Sequence, residues 1–238
     1  GKIQIIKDES LINYKKNRVI DYVFAHYKDF TDANIMEQLA LAERVPEDIL
    51  TAAGDIGREI HEIREAIFRD WIKTGTQPTD FLAHVPPVAQ GDVRVKSALR
   101  ALSAFVRDYE YVPITTELFV YSHKLKVAGT LDDIGLITKV IRPGAQDCNH
   151  EIIDLLHHES VCVKCGMKKK QYFVLLDVKT SNAFKDHYFF QVALYYQMFY
   201  ALTDLRPELC FILKVSKENG TYQIEELKQI SKLAAYAR

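Results

Sequence analysis

The sequence predicts a mixed α/β fold, with a helical first half and a central sheet in the second half. The prediction rests on a change of pattern. Before about residue 110 the apolar residues recur at helical spacing, whereas from residue 111 most segments are short and rich in β-branched and aromatic residues. A polar segment, 142–170, holds three of the four cysteines. We therefore expect one domain, 1–238, with a mainly helical part (1–110), a sheet core (111–238) and a small insertion (142–170).

The helical part is predicted to contain several helices in succession. Residues 31–34 have the composition of a helix cap, and Pro46 suits the first turn of a further helix. Between residues 56 and 72, isoleucines at three- to five-residue spacing form an amphipathic stripe, which Gly75 and Pro78 end. The predicted helical segments are 11–27, 35–42, the stretch that opens at Pro46, 56–72 and 93–109.

The second half is predicted to contain five strands and one long helix. The first two strands follow each other across a short turn and indicate an antiparallel hairpin, while the strongly apolar third strand indicates a central position in the sheet. Asn219 and Gly220 indicate a turn between the last two strands. The predicted strands are 114–121, 127–140, 171–180, 209–215 and 222–226, with a helix over 186–202 and a short helix at the end of the chain.

The charge balance limits the class of function. The formal net charge is -1, which argues against a protein that coats nucleic acid non-specifically but is compatible with an enzyme that has a local basic track. No uncharged apolar run reaches the roughly 18 residues that a membrane span needs. No signal-peptide pattern follows Gly1. We expect no membrane partner and a cytoplasmic location, with a phage-encoded or nucleoid-associated protein among the alternatives.

Acidic residues interrupt two apolar strands in the predicted core. The apolar run 172–176 ends in Asp177 and Lys179, which share a face because side chains alternate along a strand. Asp132 lies mid-strand in the preceding strand, next to Asp133, which remains an alternative to it. Carboxylates from neighbouring strands form a site for a hard divalent cation, and a lysine beside them can stabilise developing charge. The set indicates phosphodiester hydrolysis.

Four short motifs in series resemble those of a known family. Residues 129–132 (GTLD) and 177–179 (DVK) resemble the signature of the PD-(D/E)XK nuclease superfamily. Residues 57–61 (GREIH) and 191–195 (QVALY) resemble helix motifs of its RecB-like and lambda-exonuclease-like branch. The resemblance extends from about residue 57 to about residue 215, in the family's order. It implies a restriction-endonuclease-like core, in which a central mixed sheet is flanked by helices.

The resemblance also implies a role for each matched position. The ligands that it implies for a catalytic Mg²⁺ or Mn²⁺ ion are His61, Asp132, Asp177 and the carbonyl of Val178. The other catalytic positions that it implies are Lys179 as the catalytic lysine, Glu117 as an accessory acid, and Gln191 with Tyr195 on one helix face beside the DNA.

The insertion carries a metal-binding pattern of its own. It reads C-x-H, then C-x-x-C-G, and tetrahedral Zn²⁺ takes four such nitrogen and sulfur ligands. The pattern predicts a structural zinc ribbon, with His157 and His158 as alternatives to the histidine of the first knuckle. The resemblance also implies an iron–sulfur cluster as an alternative, because some members of the RecB-like branch carry one, built largely from cysteines near the C-terminal end. That alternative is less favoured, because Cys210 is the only cysteine near this end of the sequence. The predicted zinc ligands are Cys148, His150, Cys162 and Cys165.

Lysines follow the cysteines along the same insertion. Lys164 and residues 168–170 indicate that the ribbon grips DNA phosphates beside the active site, with a purely structural role as the alternative.

Together, these patterns predict a metal-dependent DNA nuclease. We expect an exonuclease that acts from DNA ends in recombination or repair. A structure-specific endonuclease and a non-catalytic DNA-binding module with the nuclease fold are the alternatives. An oligomer, or a recombination or repair protein as partner, is compatible with the sequence. The role of residues 1–56 is left open.

Overall fold

The structure is a computed structural model, and it describes residues 9–31, 33–155 and 158–228. The chain forms two compact units, one ending at Arg58 and the other beginning at Glu59. The short helix predicted at the end of the chain and the alternative ligand His157 lie outside the described residues. Among the described helices, none combines the length and the apolar character that a membrane crossing requires.

The helices of the first half are fewer and longer than the sequence predicts. Helix α1 covers Glu9–His26, and helix α2 covers Ile35–Thr74. The prediction of a separate helix opening at Pro46 is wrong, because Pro46 lies inside α2. A proline removes one intrahelical hydrogen bond, but alanine, leucine, glutamate and arginine flank it and favour a helix on both sides. Gly75, with φ 69°, ends α2 as predicted.

The fold of the second unit is mixed α/β with a central mixed sheet, as the sequence predicts. The predicted hairpin, the apolar strand, the aromatic-rich helix and the final pair of strands are all confirmed. Two further strands, β3 and β4, lie within the insertion. The elements are α3 (Val93–Asp108), β1 (Val112–Ser122), β2 (Val127–Arg142), β3 (Ile152–Asp154), β4 (Glu159–Cys162), β5 (Lys168–Lys179), α4 (Asp186–Thr203), β6 (Leu209–Val215) and β7 (Tyr222–Glu226).

Strand β5 is the centre of the sheet. It pairs with β2 along one edge, while its other edge pairs first with β4 and then with β6. The pairing of β5 with β6 is parallel, so that α4 is the crossover between them, and the remaining pairings are antiparallel. The insertion therefore extends the sheet by β4 and β3 instead of forming a loop.

Helix α4 supplies much of the core on one side of the sheet. Its apolar and aromatic side chains pack against residues of β1, β2, β5 and β6, and burial of this apolar area is the main stabilising contribution. The buried residues of this cluster are Val120, Leu131, Ile134, Leu175, Val192, Tyr195, Met198, Phe199, Cys210, Ile212 and Leu227.

Strands β2 and β5 separate at one point of the sheet, and the buried acidic residues lie at that point. The β2–β5 pairing begins at Arg142 opposite Lys168 and ends at Asp133 opposite Leu176. Beyond it, β2 continues against β1 alone, and β5 continues against β6 as far as Lys179. We call this opening between the strands the fork. Asp132 and Asp177 are the first residues on its two sides.

Candidate active site and candidate metal centre

Asp132 is fixed in the fork by a backbone group of the opposite strand. The N–H of Val178 donates a hydrogen bond to Asp132 Oδ2 at 2.6 Å. Because the sheet pairing has ended, the carboxylate takes the place that a backbone carbonyl would have. The N–H and C=O of a strand residue point to the same side, so the Val178 carbonyl is directed towards the fork as well. The predicted carbonyl ligand therefore has a suitable orientation.

Asp177 and Lys179 share a face at the end of β5, as predicted. Lys179 Nζ lies 3.0 Å from Asp177 Oδ1 and 2.8 Å from Oδ2, and the Asp177 side chain is buried. Burial and the nearby Asp132 raise the pKa of Asp177 to about 7, although Lys179 opposes the shift. Burial lowers the pKa of Lys179, but Asp177 and Asp132 outweigh it and raise that pKa, which keeps the ammonium charged.

The fork fits a divalent cation. Two carboxylates that face one low-dielectric space repel each other unless positive charge lies between them, and this repulsion contributes to the raised pKa of Asp177. Asp177 Oδ2 is a buried oxygen that accepts no well-oriented hydrogen bond from the described residues. Oxygen ligands of this kind are those that Mg²⁺ and Mn²⁺ prefer.

His61 and Glu117 approach the fork from helix α2 and strand β1. The ligand atoms of His61, Glu117 and Asp132 all lie within 4.8 Å of one another, and Asp177 is not a member of this group. Burial of the His61 ring, helped by Arg64 and opposed by Asp132, lowers its pKa. The imidazole is therefore neutral near pH 7, which is the form that binds a metal ion. Asp132 therefore belongs both to this group and to the pair of carboxylates that it forms with Asp177 in the fork.

Arg64 is the site residue that the sequence prediction missed. Its guanidinium is fully buried and pairs with both Asp133 and Glu117, and it lies 3.7 Å from Asp132. Burial raises the pKa of Asp133 to about 7 despite the opposing effect of Arg64. Asp133 is thereby the partner of a buried arginine, whereas Asp132 faces the fork. The signal was present in the sequence, since Arg64 lies within the isoleucine stripe of α2, where an unpaired charge is costly.

Helix α4 brings Gln191 and Tyr195 to the edge of the fork. Gln191 Nε2 donates a hydrogen bond to the Tyr195 hydroxyl at 2.9 Å, as expected for residues on one helix face. The Tyr195 ring packs so closely on Gly129 that a Cβ atom there would lie 2.8 Å from it. The glycine of the predicted GTLD motif is therefore required for the approach of α4 to strand β2.

The insertion brings its four predicted ligands together. Cys148 Sγ lies 3.7 Å from Cys162 Sγ, and Cys165 Sγ lies 3.3 Å from His150 Nδ1. Two thiolates on a tetrahedral zinc ion with bonds of about 2.3 Å would be about 3.8 Å apart, whereas a disulfide would require about 2.05 Å. All four ligand atoms lie within 4.8 Å of one another, so the group can hold a metal ion.

Local backbone and charge favour thiolates in this group. Although burial raises the pKa of Cys162, hydrogen bonds from the Cys165 backbone and the His150 ring outweigh it and lower that pKa to about 5. Gly166, with φ 71°, makes the turn after the second knuckle, in a backbone conformation that glycine adopts without strain. His158, the alternative ligand, is not in the group, and Cys210 is buried inside β6, apart from the other three cysteines.

The insertion does not lie beside the fork, and this part of the sequence prediction is wrong. Cys162 is joined to the start of β5, whereas Asp177 lies at its other end. The nine residue-to-residue steps of extended strand from Lys168 to Asp177 span about 30 Å. Three of the insertion's four lysines also form ion pairs, since Lys164, Lys169 and Lys170 pair with Glu151, Glu110 and Glu208, respectively. The cysteine group of the insertion and the fork are therefore separate sites near opposite ends of β5.

Comparison with models of known protein families and with curated proteins finds no match to this chain.

Proposed function

We propose that this chain is a metal-dependent deoxyribonuclease with a restriction-endonuclease-like core, related to the PD-(D/E)XK superfamily. The observation that carries the proposal is the convergence of Asp132, Asp177 and Lys179 in the fork where β2 and β5 separate. Two buried carboxylates and a charged lysine in one opening are costly for stability, and phosphodiester hydrolysis uses all three.

The roles of the residues follow from their positions. Asp132 and Asp177, with the Val178 carbonyl, would hold Mg²⁺ or Mn²⁺. When bound, the cation supplies Lewis-acid polarisation of a phosphate and lowers the pKa of a bound water. Lys179 remains an ammonium ion, because its pKa is raised, and therefore stabilises negative charge and orients the attacking water instead of acting as a base. Cation binding between the acids would also loosen the pairing of Lys179 with Asp177.

The surroundings of the fork support the same proposal. The order of a hairpin, a central strand, a crossover helix and a parallel strand agrees with the core that the motif resemblance implies. His61 is neutral and near Asp132, and Tyr195 and Gln191 border the opening from α4. Action from DNA ends follows from the resemblance to exonucleases alone.

We further propose that the cysteine group binds a structural Zn²⁺ ion. Its four ligands, Cys148, His150, Cys162 and Cys165, have the donor types and the spacings that a closed tetrahedral site requires. A closed site keeps no position for substrate, so the zinc would stabilise the β3–β4 extension and take no part in hydrolysis.

The test of the nuclease proposal is a cleavage assay on four substrates. End-labelled linear DNA and covalently closed circular DNA, each single- and double-stranded, are incubated with Mg²⁺ or Mn²⁺, and with EDTA as a control. The matched variants are Lys179→Ala and Lys139→Ala, the latter a surface lysine paired with Glu226. We expect linear DNA to be degraded by the wild type and by Lys139→Ala, and not by Lys179→Ala or in EDTA.

The pattern of substrates decides the subclass. Degradation of linear DNA only establishes an exonuclease, whereas cutting of circles establishes an endonuclease. Binding of DNA without cleavage of any substrate would overturn the proposal in favour of a non-catalytic module.

A further inference from the structure

The outer face of the β1–β2 hairpin carries a row of exposed rings next to the fork. Phe119 and Tyr121 are 63% and 39% exposed, while Val120 between them is fully buried. The ring centroids of Phe119 and Tyr121 lie 6.2 Å apart, and those of Tyr121 and His123 lie 5.0 Å apart. We call these three residues the aromatic track.

The aromatic track leads to the candidate active site. Phe119 lies opposite Thr130 and Tyr121 lies opposite Ala128 in the β1–β2 pairing. The same two strands carry Glu117 and Asp132, two residues before Phe119 and two residues after Thr130, and the ligand atoms of these two acids lie within 4.8 Å of each other. Each two-residue step along the strand is about 7 Å, so Phe119 stands about one step from the level of Asp132 and Tyr121 about two steps.

The surface around the rings is basic and open. The groove there is lined by Phe119, Tyr121, Ser122, His123, Lys126, Val127 and Ala128. Its lining contains no acidic residue. Within the described part of the chain, neither Lys126 nor the adjacent Lys124 forms an ion pair. The small side chains of Ala128 and Thr130 opposite the rings leave the ring faces accessible.

We propose that the aromatic track binds single-stranded DNA that continues from the scissile phosphate, with bases stacked on Phe119 and Tyr121 and phosphates near Lys124 and Lys126. The inference rests on the proposed nuclease function and adds the substrate class. Aromatic rings stack on bases without regard to sequence, and unpaired lysines supply charge complementary to phosphates.

The spacing favours a single strand over a duplex. Bases in one strand of B-DNA rise by about 3.4 Å, whereas the ring centroids of Phe119 and Tyr121 lie 6.2 Å apart, so stacking on both rings requires bases that have left the regular duplex stack. Bases that are paired and stacked in a duplex offer no free face to such rings. The track would therefore hold a short unpaired end of about two nucleotides beside the fork.

The test measures binding separately from cleavage. Fluorescence anisotropy in EDTA compares a labelled oligothymidylate with a blunt hairpin duplex, using the full chain. The variants are Phe119→Ala and Tyr121→Ala, with Phe119→Tyr as the conservative change. The matched control is Phe190→Ala, because Phe190 on α4 is also 63% exposed.

We expect each alanine variant of the track to weaken single-strand binding about tenfold or more. Phe119→Tyr and Phe190→Ala should stay within about twofold of the wild type, because a tyrosine ring still stacks and Phe190 lies off the track. Binding to the blunt duplex should be unchanged in every variant.

Two results would overturn the inference. Equal weakening for the duplex and the single strand would show a general contact, and unchanged DNA binding in both alanine variants would assign the exposed rings to a protein partner. The outcome is separable from the nuclease proposal. If the wild type cleaves no substrate but the alanine variants still lose single-strand binding, the aromatic track is supported as a DNA-binding surface and the proposed nuclease activity is rejected.

Discussion

The cysteine group and the fork lie at opposite ends of strand β5 and are built in different ways. The cysteine group takes its four ligands from residues 148–165, a single short stretch of chain. The fork takes its polar residues from helix α2 and strands β1, β2 and β5, between His61 and Lys179. A local sequence pattern is sufficient to specify the first, whereas the second exists only when the whole sheet has formed.

The two centres also differ in what balances their charge. In the fork, Arg64 and Lys179 are permanent cations that hold Asp133, Glu117 and Asp177 in place. The described residues provide no such cation within the cysteine group, where only a metal ion would neutralise thiolates. We therefore expect the fork to keep its shape without a metal but lose its chemistry, and the cysteine group to lose its structure without a metal while hydrolysis continues.

The largest expected effect is that of Asp177→Asn on cleavage. The substitution keeps the size of the side chain and removes one charged ligand, so the single-turnover rate should fall about 10³-fold. The melting temperature should not fall, because a buried like charge is removed. Asp204→Asn is the control, since Asp204 is exposed and has a left-handed conformation that asparagine tolerates. A rate within about tenfold of the wild type would contradict the assignment of Asp177.

The next largest effect is expected from Arg64, and it is an effect on stability. Arg64→Met leaves Asp133 and Glu117 without their partner and should lower the free energy of unfolding by about 3–5 kcal/mol in urea denaturation. Arg69→Met on the same helix should cost at most about 0.5 kcal/mol, because Arg69 is exposed and its ion pair within the described residues is with Glu65 on the helix surface. Similar losses in the two variants would show that Arg64 does not organise the fork.

A smaller effect is expected where α4 meets the fork. Gly129→Ala should lower the free energy of unfolding by about 1–3 kcal/mol, because its Cβ atom would press on the Tyr195 ring. Gly91→Ala should change it by less than about 0.5 kcal/mol, since no atom would lie within 4 Å of the new Cβ. Urea denaturation of both variants checks the difference, and equal values would contradict the close packing.

The smallest effect on cleavage is expected from the cysteine group. Cys162→Ser should reduce bound zinc from about one ion per chain to about none and lower the melting temperature. Because the group lies about 30 Å from Asp177, the cleavage rate of the folded variant should stay within about threefold of the wild type. Elemental analysis and cleavage assays measure the two quantities. Cys210→Ala is the control and should retain zinc.

Loss of cleavage in Cys162→Ser, at a temperature where the variant is folded, would contradict the claim that the cysteine group and the fork act independently. Native protein without zinc would contradict the assignment of the cysteine group itself.

The sequence predicted the elements better than their long-range relations. The β5 pattern, the hairpin and the cysteine spacing are local signals, and each is confirmed in the structure. The sequence did not predict that α2 continues through Pro46, because a proline alone indicates a helix boundary, and the helix-favouring residues on both sides of it outweigh that signal. The approach of Arg64 to Asp133 was also missed, because it joins residues far apart in the chain.

The choice between Asp132 and Asp133 shows the same limit. Strand alternation states only that adjacent residues point to opposite faces, and both faces of β2 are buried at this point. Their hydrogen-bond partners distinguish the two residues, because Arg64 pairs with Asp133 whereas the Val178 N–H donates to Asp132 in the fork. Likewise, the length of β5 separates the insertion from the fork, which the sequence alone placed side by side.

The two proposed metal sites can be located directly in one crystal. Crystals grown with Mn²⁺ are measured by anomalous scattering at the manganese and zinc edges. We predict a manganese peak within about 2.5 Å of carboxylate oxygens of both Asp132 and Asp177, and a zinc peak among Cys148, His150, Cys162 and Cys165. A fork without manganese, at a concentration that supports cleavage, would contradict the claim that the fork is the catalytic metal site.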